Sequence, residues 1–155
     1  MSKNQNASSL ILFILIPIAV GTLSSLLSGN MTLYASFNKP PFSPPAFLFP
    51  IVWTVLYILM GISAYIICQK GGAETEKALK TYVLQLFFQF FWSILFFRFE
   101  MYFTAFLWLL LLIILIIMMI YYFYKISPAA AYLQIPYLLW CLFAAYLNLM
   151  IVLLN

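Results

Sequence analysis

The 155-residue chain contains no histidine and no aspartate, and its carboxylates are limited to Glu74, Glu76 and Glu100. Charged residues make up only 6% of it, against about a quarter in a soluble domain. Such a chain cannot keep a folded surface in water, which excludes an ordinary soluble enzyme. Conventional acid/base hydrolysis lacks its commonest side chain, His. The two cysteines, Cys68 and Cys141, both fall within apolar runs, so neither a disulfide framework nor a metal site is indicated.

What is present is hydrocarbon: 67% hydrophobic residues and a mean hydropathy of +1.11. Apolar runs counted against the roughly 20 residues needed to cross a bilayer predict five spans, near 10–28, 47–68, 80–97, 103–124 and 131–154. Links fall on a Pro-rich stretch within 29–46, on charged "QKGGAETEKALK", on "RFEMY" and on "KISPAAA". The runs are continuous rather than alternating, which disfavours a β-barrel. The expected fold is one all-α integral membrane domain over 1–155, a bundle of five transmembrane helices. A cleaved leader is not expected, because "SLLSGN" is a poor small-x-small site and the first run is long enough to span.

Lys3, Lys70, Lys77, Lys80 and Lys125 fall on one side of this arrangement, and Lys39 and Arg98 on the other. The positive-inside bias places the N-terminus in the cytoplasm and suggests a bacterial plasma membrane. The net charge of +4 therefore reflects topology, and nucleic acid is not an expected partner. All three glutamates lie near span edges, whereas pumps and ion pathways keep ionisable groups deep in a span. Pump and ion channel lose weight accordingly.

Inside the spans, aromatic and weakly polar residues recur at helical spacing. Trp53, Tyr57, Gly61 and Ala64 share one face; so do Gln85, Gln89, Trp92 and Ser93, and so do Pro136, Trp140, Ala144 and Asn148. The first span adds Gly21, Ser24, Ser25 and Ser28. These faces are expected to turn inward. Helix packing accounts for the small and hydrogen-bonding residues, and interfacial belts account for Trp108 and Trp53. A pocket wall is the alternative, strongest at Trp92 and Trp140. Between Tyr34 and Tyr57 stand five of the eight prolines. Pro40, Pro41, Pro44 and Pro45 make either a stiff, non-helical lid or a simple helix terminator.

The combination of Tyr34, Lys39-Pro40, Phe42, Pro44-Pro45, Trp53 and Leu56-Tyr57 resembles the TspO/MBR family of tryptophan-rich sensory proteins and translocator proteins. In the same order follow "GGAETEKA", "QLFFQFFWSILFF" and "SPAAAYLQIPYLLWCLFAAYLN", so the resemblance covers nearly the whole chain. It implies a five-helix bundle, often a homodimer, with a pocket beneath the first loop. Protoporphyrin IX and other porphyrins, isoquinoline and benzodiazepine-type molecules and, in some members, sterols are the ligands it implies. Carried over by motif, the ligand-binding positions are Tyr34, Lys39, Phe42, Pro44, Pro45, Trp53, Tyr57, Gln89, Trp92, Trp140, Phe143 and Ala144.

There are departures. Gln89 replaces an Asn common in the family, and Leu33 and Phe42 stand where many members have Trp. The tail "LNLMIVLLN" lacks the Tyr and basic residue of a cholesterol motif, so sterol is not expected. A porphyrin ring suits Trp and Phe faces. Its propionates would need a cation, for which Lys39 and Arg98 are candidates; the alternatives are an interfacial anchor for Lys39 and a pair with Glu100 or lipid phosphate for Arg98. Without His, a bound tetrapyrrole is expected to be metal-free or held without protein ligation. No resident cofactor and no metal are expected. The resemblance implies a receptor or carrier that senses tetrapyrrole or stress status. Two alternatives stay open: light- and oxygen-dependent porphyrin breakdown with Trp53 and Trp140 as the catalytic residues, and a structural partner in a membrane complex.

Overall fold

Hydrocarbon offers backbone groups no hydrogen-bond partner, so an apolar chain crossing it must satisfy each N–H and C=O within its own helix. The computed structural model describes residues 3–29 and 32–155, and its elements are all helical. They are α1 (Lys3–Ser28), α2 (Leu33–Ser36), α3 (Leu48–Lys70), α4 (Ala73–Ser93), α5 (Tyr102–Ile126), α6 (Pro128–Tyr132) and α7 (Ile135–Leu154). Among the described residues, five stretches are long and apolar enough to span, with α6 and α7 forming the last of them. The protein is an all-α integral membrane bundle.

α1 packs on α3 and α4, α4 on α5, and α5 on α7. The closest approach of α1 and α3 depends on glycine. A Cβ on Gly61 would stand 2.5 Å from the Ile14 Cα and 2.6 Å from the Phe13 carbonyl oxygen. Met60, Ala64, Ile67, Leu112, Ile116, Met119 and Phe123 fill the core. Outward, Ile11, Leu12, Leu15, Ile114 and Ile117 leave apolar side chains to the lipid. Burial of a stripe rather than a whole circumference is what a bundle in lipid requires.

Several expected boundaries move. α4 begins at Ala73, seven residues before the expected 80, because the charged link is itself helical. Glu74 and Glu76 occupy its first turn, where carboxylates complement the helix dipole, and Lys80 pairs with Glu76 at 2.6 Å. At its other end α4 runs into a π-helical turn, Ile94–Arg98, closed by Phe99 N–H on the Ile94 carbonyl at 3.1 Å. The 131–154 span is broken at Leu133 and Gln134, between α6 and α7.

The stretch with Pro40, Pro41, Pro44 and Pro45 is non-helical, but a short helix enters the expected lid ahead of it. Leu33–Ser36 is the short helix α2, while Asn30 and Met31 lie outside the described residues. Tyr34 donates to the Pro44 carbonyl at 3.1 Å, Tyr146 to the Pro41 carbonyl at 3.2 Å, and Asn38 N–H to Asn155 Oδ1 at 2.9 Å. The connection is thus tied to α7 as a fixed end-piece. One residue expected to face inward does not: Pro136 is exposed.

Candidate functional site

At the end of the bundle that carries residues 32–47, α1, α3, α4 and α7 part around a cavity of about 520 Å³. That volume falls within the range of small-molecule pockets. Trp53, Trp92, Trp140, Phe49 and Phe96 supply apolar rings, and Tyr57 with Gln89 supplies polar groups. Trp53 stacks on Tyr57 with centroids 5.4 Å apart at 26°, and Trp140 meets Phe49 edge-on at 5.9 Å. These contacts hold large rings in fixed orientations before any ligand arrives.

The helix faces are shaped for this opening. Gly21 lets the Tyr57 ring lie against α1, since a Cβ there would overlap the ring. Tyr57 Oη in turn accepts from Gln89 Nε2 at 2.6 Å, while Gln89 Oε1 is buried without a partner among the described residues. Three serines close the seam between α1 and α4. Ser24 donates to the Phe90 carbonyl at 2.6 Å and stands 2.5 Å from Ser93 Oγ, and Ser28 lies 2.9 Å from Ser93 Oγ. Trp92 donates to Asn148 Oδ1 at 3.2 Å, and Asn148 Nδ2 donates to the Tyr102 carbonyl at 2.9 Å. Trp92 and Trp108 thus commit their indole N–H groups to protein acceptors.

Lining residues that reach the surface all belong to α1 or to the start of α3 and its lead-in. They are Thr22, Ser25 and Leu26 on one side and Ala46, Pro50 and Thr54 on the other. The two helices meet backbone to backbone at Gly61 and through the Tyr57 ring at Gly21, and the exposed lining residues set the mouth between them.

Of the residues expected from sequence, Tyr34, Trp53, Tyr57, Gln89, Trp92, Trp140 and Ala144 line this cavity. Lys39, Phe42, Pro44, Pro45 and Phe143 do not. Phe42 is 87% exposed with φ at 67°, a left-handed conformation in the turn. Lys39 Nζ sits over the Tyr34 ring at 4.9 Å, and Phe143 lies behind Trp140 at 5.7 Å. Pro44 acts through its carbonyl, which fixes Tyr34. Arg98 donates to the Leu27 carbonyl at 3.1 Å, and Glu100 accepts from Tyr102 at 3.3 Å, so the two do not pair with each other. Phe96 and Phe97 were missed as lining residues. The π turn that sets their direction has no periodic signature in sequence.

The TspO/MBR family profile matches residues 13–154. The chain is 39% identical over 153 residues to the tryptophan-rich protein TspO of Archaeoglobus fulgidus, covering 97% of this chain and 99% of the relative. It is 35% identical over 141 residues to the translocator protein of Ovis aries, covering 88% and 83% respectively. Against the tryptophan-rich sensory protein of Cereibacter sphaeroides it is 32% identical over 115 residues, covering 74% and 72%. The chain belongs to the TspO/MBR family.

Proposed function

We propose that this TspO/MBR-family protein is a membrane receptor or carrier whose cavity binds a flat, largely apolar ring system, a metal-free tetrapyrrole such as protoporphyrin IX, in a sensing or stress-response role. Family membership supports the receptor or sensor role. The observation that carries the ligand class is the cavity itself: Trp53, Trp92, Trp140, Phe49 and Phe96 around about 520 Å³, with few polar groups among them. Ring stacking and apolar burial supply affinity there, and Gln89 Oε1 offers one buried acceptor for a ligand N–H. Isoquinoline and benzodiazepine-type molecules share this chemistry. Lys39 and Arg98, at the same end of the bundle, are the cations a propionate would meet.

A mouth flanked by exposed residues of α1 and of the start of α3 supports entry from the bilayer, which suits a ligand that partitions into lipid. Orientation follows from the lysine and arginine distribution, with the N-terminus cytoplasmic and the cavity end outside. We take the working assembly to be a homodimer, as the family resemblance implies.

The test is a titration of detergent-purified protein with protoporphyrin IX in the dark, following the Soret band. Saturable, stoichiometric binding weakened by Trp53→Phe and Trp140→Phe is expected. Absence of saturation would refute the ligand class. Repeating it under light addresses the second reading, which rests on Trp53 and Trp140 lining one cavity. A new visible band that grows with illumination and fails in those variants would identify porphyrin breakdown.

A further inference from the structure

Away from the cavity mouth, the core contains polar groups that protein partners do not satisfy. Six buried side-chain polar atoms lack a partner among the described residues, and five of them belong to α4 and to the residue that precedes α7. They are Gln89 Oε1, Gln85 Nε2, Tyr82 Oη and both polar atoms of the Gln134 amide. The sixth, Asn6 Oδ1, is at the start of α1.

Their alignment follows from helix geometry. Tyr82, Gln85 and Gln89 occupy one face of α4, and seven residues of helix rise about 10 Å. Across the interior, Tyr137 on α7 donates to Gln85 Oε1 at 2.7 Å, which sets the level at which the two helices meet. Both helices run towards the cavity end, where Trp92 bonds Asn148. One turn below the Tyr137–Gln85 bond, α4 therefore presents Tyr82, and the head of α7 presents Gln134. Gln85 and Gln134 are 0% exposed and Tyr82 is 4% exposed. Tyr82 and Tyr137 share the apolar core with Ala130, Met119 and Phe123, and the Tyr82 ring stacks on Phe123.

A primary amide has two donors and two acceptor lone pairs, and burying it dry in such a core is costly. Proteins resolve such clusters with internal water, which typically makes about three hydrogen bonds to otherwise unsatisfied groups. We propose that this interior is a binding site for ordered water, a hydrated seam running from Gln89 at the cavity floor past Gln85 and Tyr82 to Gln134. The occupant is neutral, because no charged side chain is buried there. Gln89 Oε1 joins the seam to the cavity, so a ligand reaching the floor meets water-bridged amides instead of dry hydrocarbon.

The test needs no ligand. In water-edited solid-state NMR of the full chain in lipid bilayers, labelled with ¹⁵N-glutamine, magnetisation from water should reach the side-chain amides of Gln134 and Gln85 quickly. Gln134→Met assigns the Gln134 signal and gives a second readout. Removing an amide that water bridges strands Tyr82 and Gln85, so the melting temperature should fall. Dry glutamine amides, with no fast transfer from water in the wild type, overturn the seam. A melting temperature raised by Gln134→Met does so too, since it would show that the amide was an unsolvated burden.

Discussion

Gly21→Ala is the sharpest probe of how the cavity floor is built. The added methyl would occupy the position of the Tyr57 ring, so the ring must move. Tyr57 cannot move without loosening its 2.6 Å bond from Gln89 and its stack on Trp53. A hydrogen bond is worth about 1 kcal/mol net and an aromatic pair about 0.5–1.5 kcal/mol, against which alanine gains about 1 kcal/mol over glycine in helix propensity. The expected net loss is therefore about 1 kcal/mol, or about 2–4 °C in melting temperature for a chain of this size. Thermal unfolding in detergent, followed by intrinsic fluorescence, measures it. The decisive comparison is a double-mutant cycle with Tyr57→Leu, in which the obstructing ring is gone. There Gly21→Ala should become neutral or stabilising, a coupling that independent sites would not show. An equal loss in both backgrounds, or no loss in the wild type, would refute this account of the floor.

Three further outcomes follow from the same contacts. Gly61→Ala sets a methyl against backbone rather than a movable side chain, so it should destabilise by about 1–3 kcal/mol in the same melt, more than Gly21→Ala does. Asn148→Leu removes the acceptor of Trp92 and the donor to the Tyr102 carbonyl, and should cost about 1–3 kcal/mol and red-shift the tryptophan emission as Trp92 gains freedom. Tyr34→Phe breaks only the bond to the Pro44 carbonyl. It should leave the unfolding free energy within about 1 kcal/mol of wild type while increasing protease cleavage in residues 37–47.

How much of this was legible in the sequence varied with the kind of signal. Long apolar runs announced the spans because hydrocarbon admits few other solutions. The faces carrying Trp53 and Tyr57, and Gln85 and Gln89, were readable because helical spacing places such residues side by side. The start of α4 was misplaced because its charges read as a link, whereas Glu74, Glu76 and Lys80 stabilise a helix that projects from the apolar zone. The Pro-rich stretch showed stiffness but not attachment. Its anchors, Tyr146 and Asn155, lie more than a hundred residues away in the chain. The roles of Phe96 and Phe97 depend on a π turn, and the mouth between α1 and α3 depends on how two helices meet. Neither is written in periodicity.

The central claim, that the aromatic cavity is the ligand site, is tested most directly by filling it. Ala144 lines the cavity from α7 and is only partly buried, so Ala144→Trp would place an indole into open space instead of into packed core. Protoporphyrin IX binding should fall by at least about tenfold, corresponding to about 1.4 kcal/mol, while the melting temperature holds at or above that of the wild type. Wild-type affinity in a stably folded Ala144→Trp protein would contradict the account, because the ligand would then be bound elsewhere.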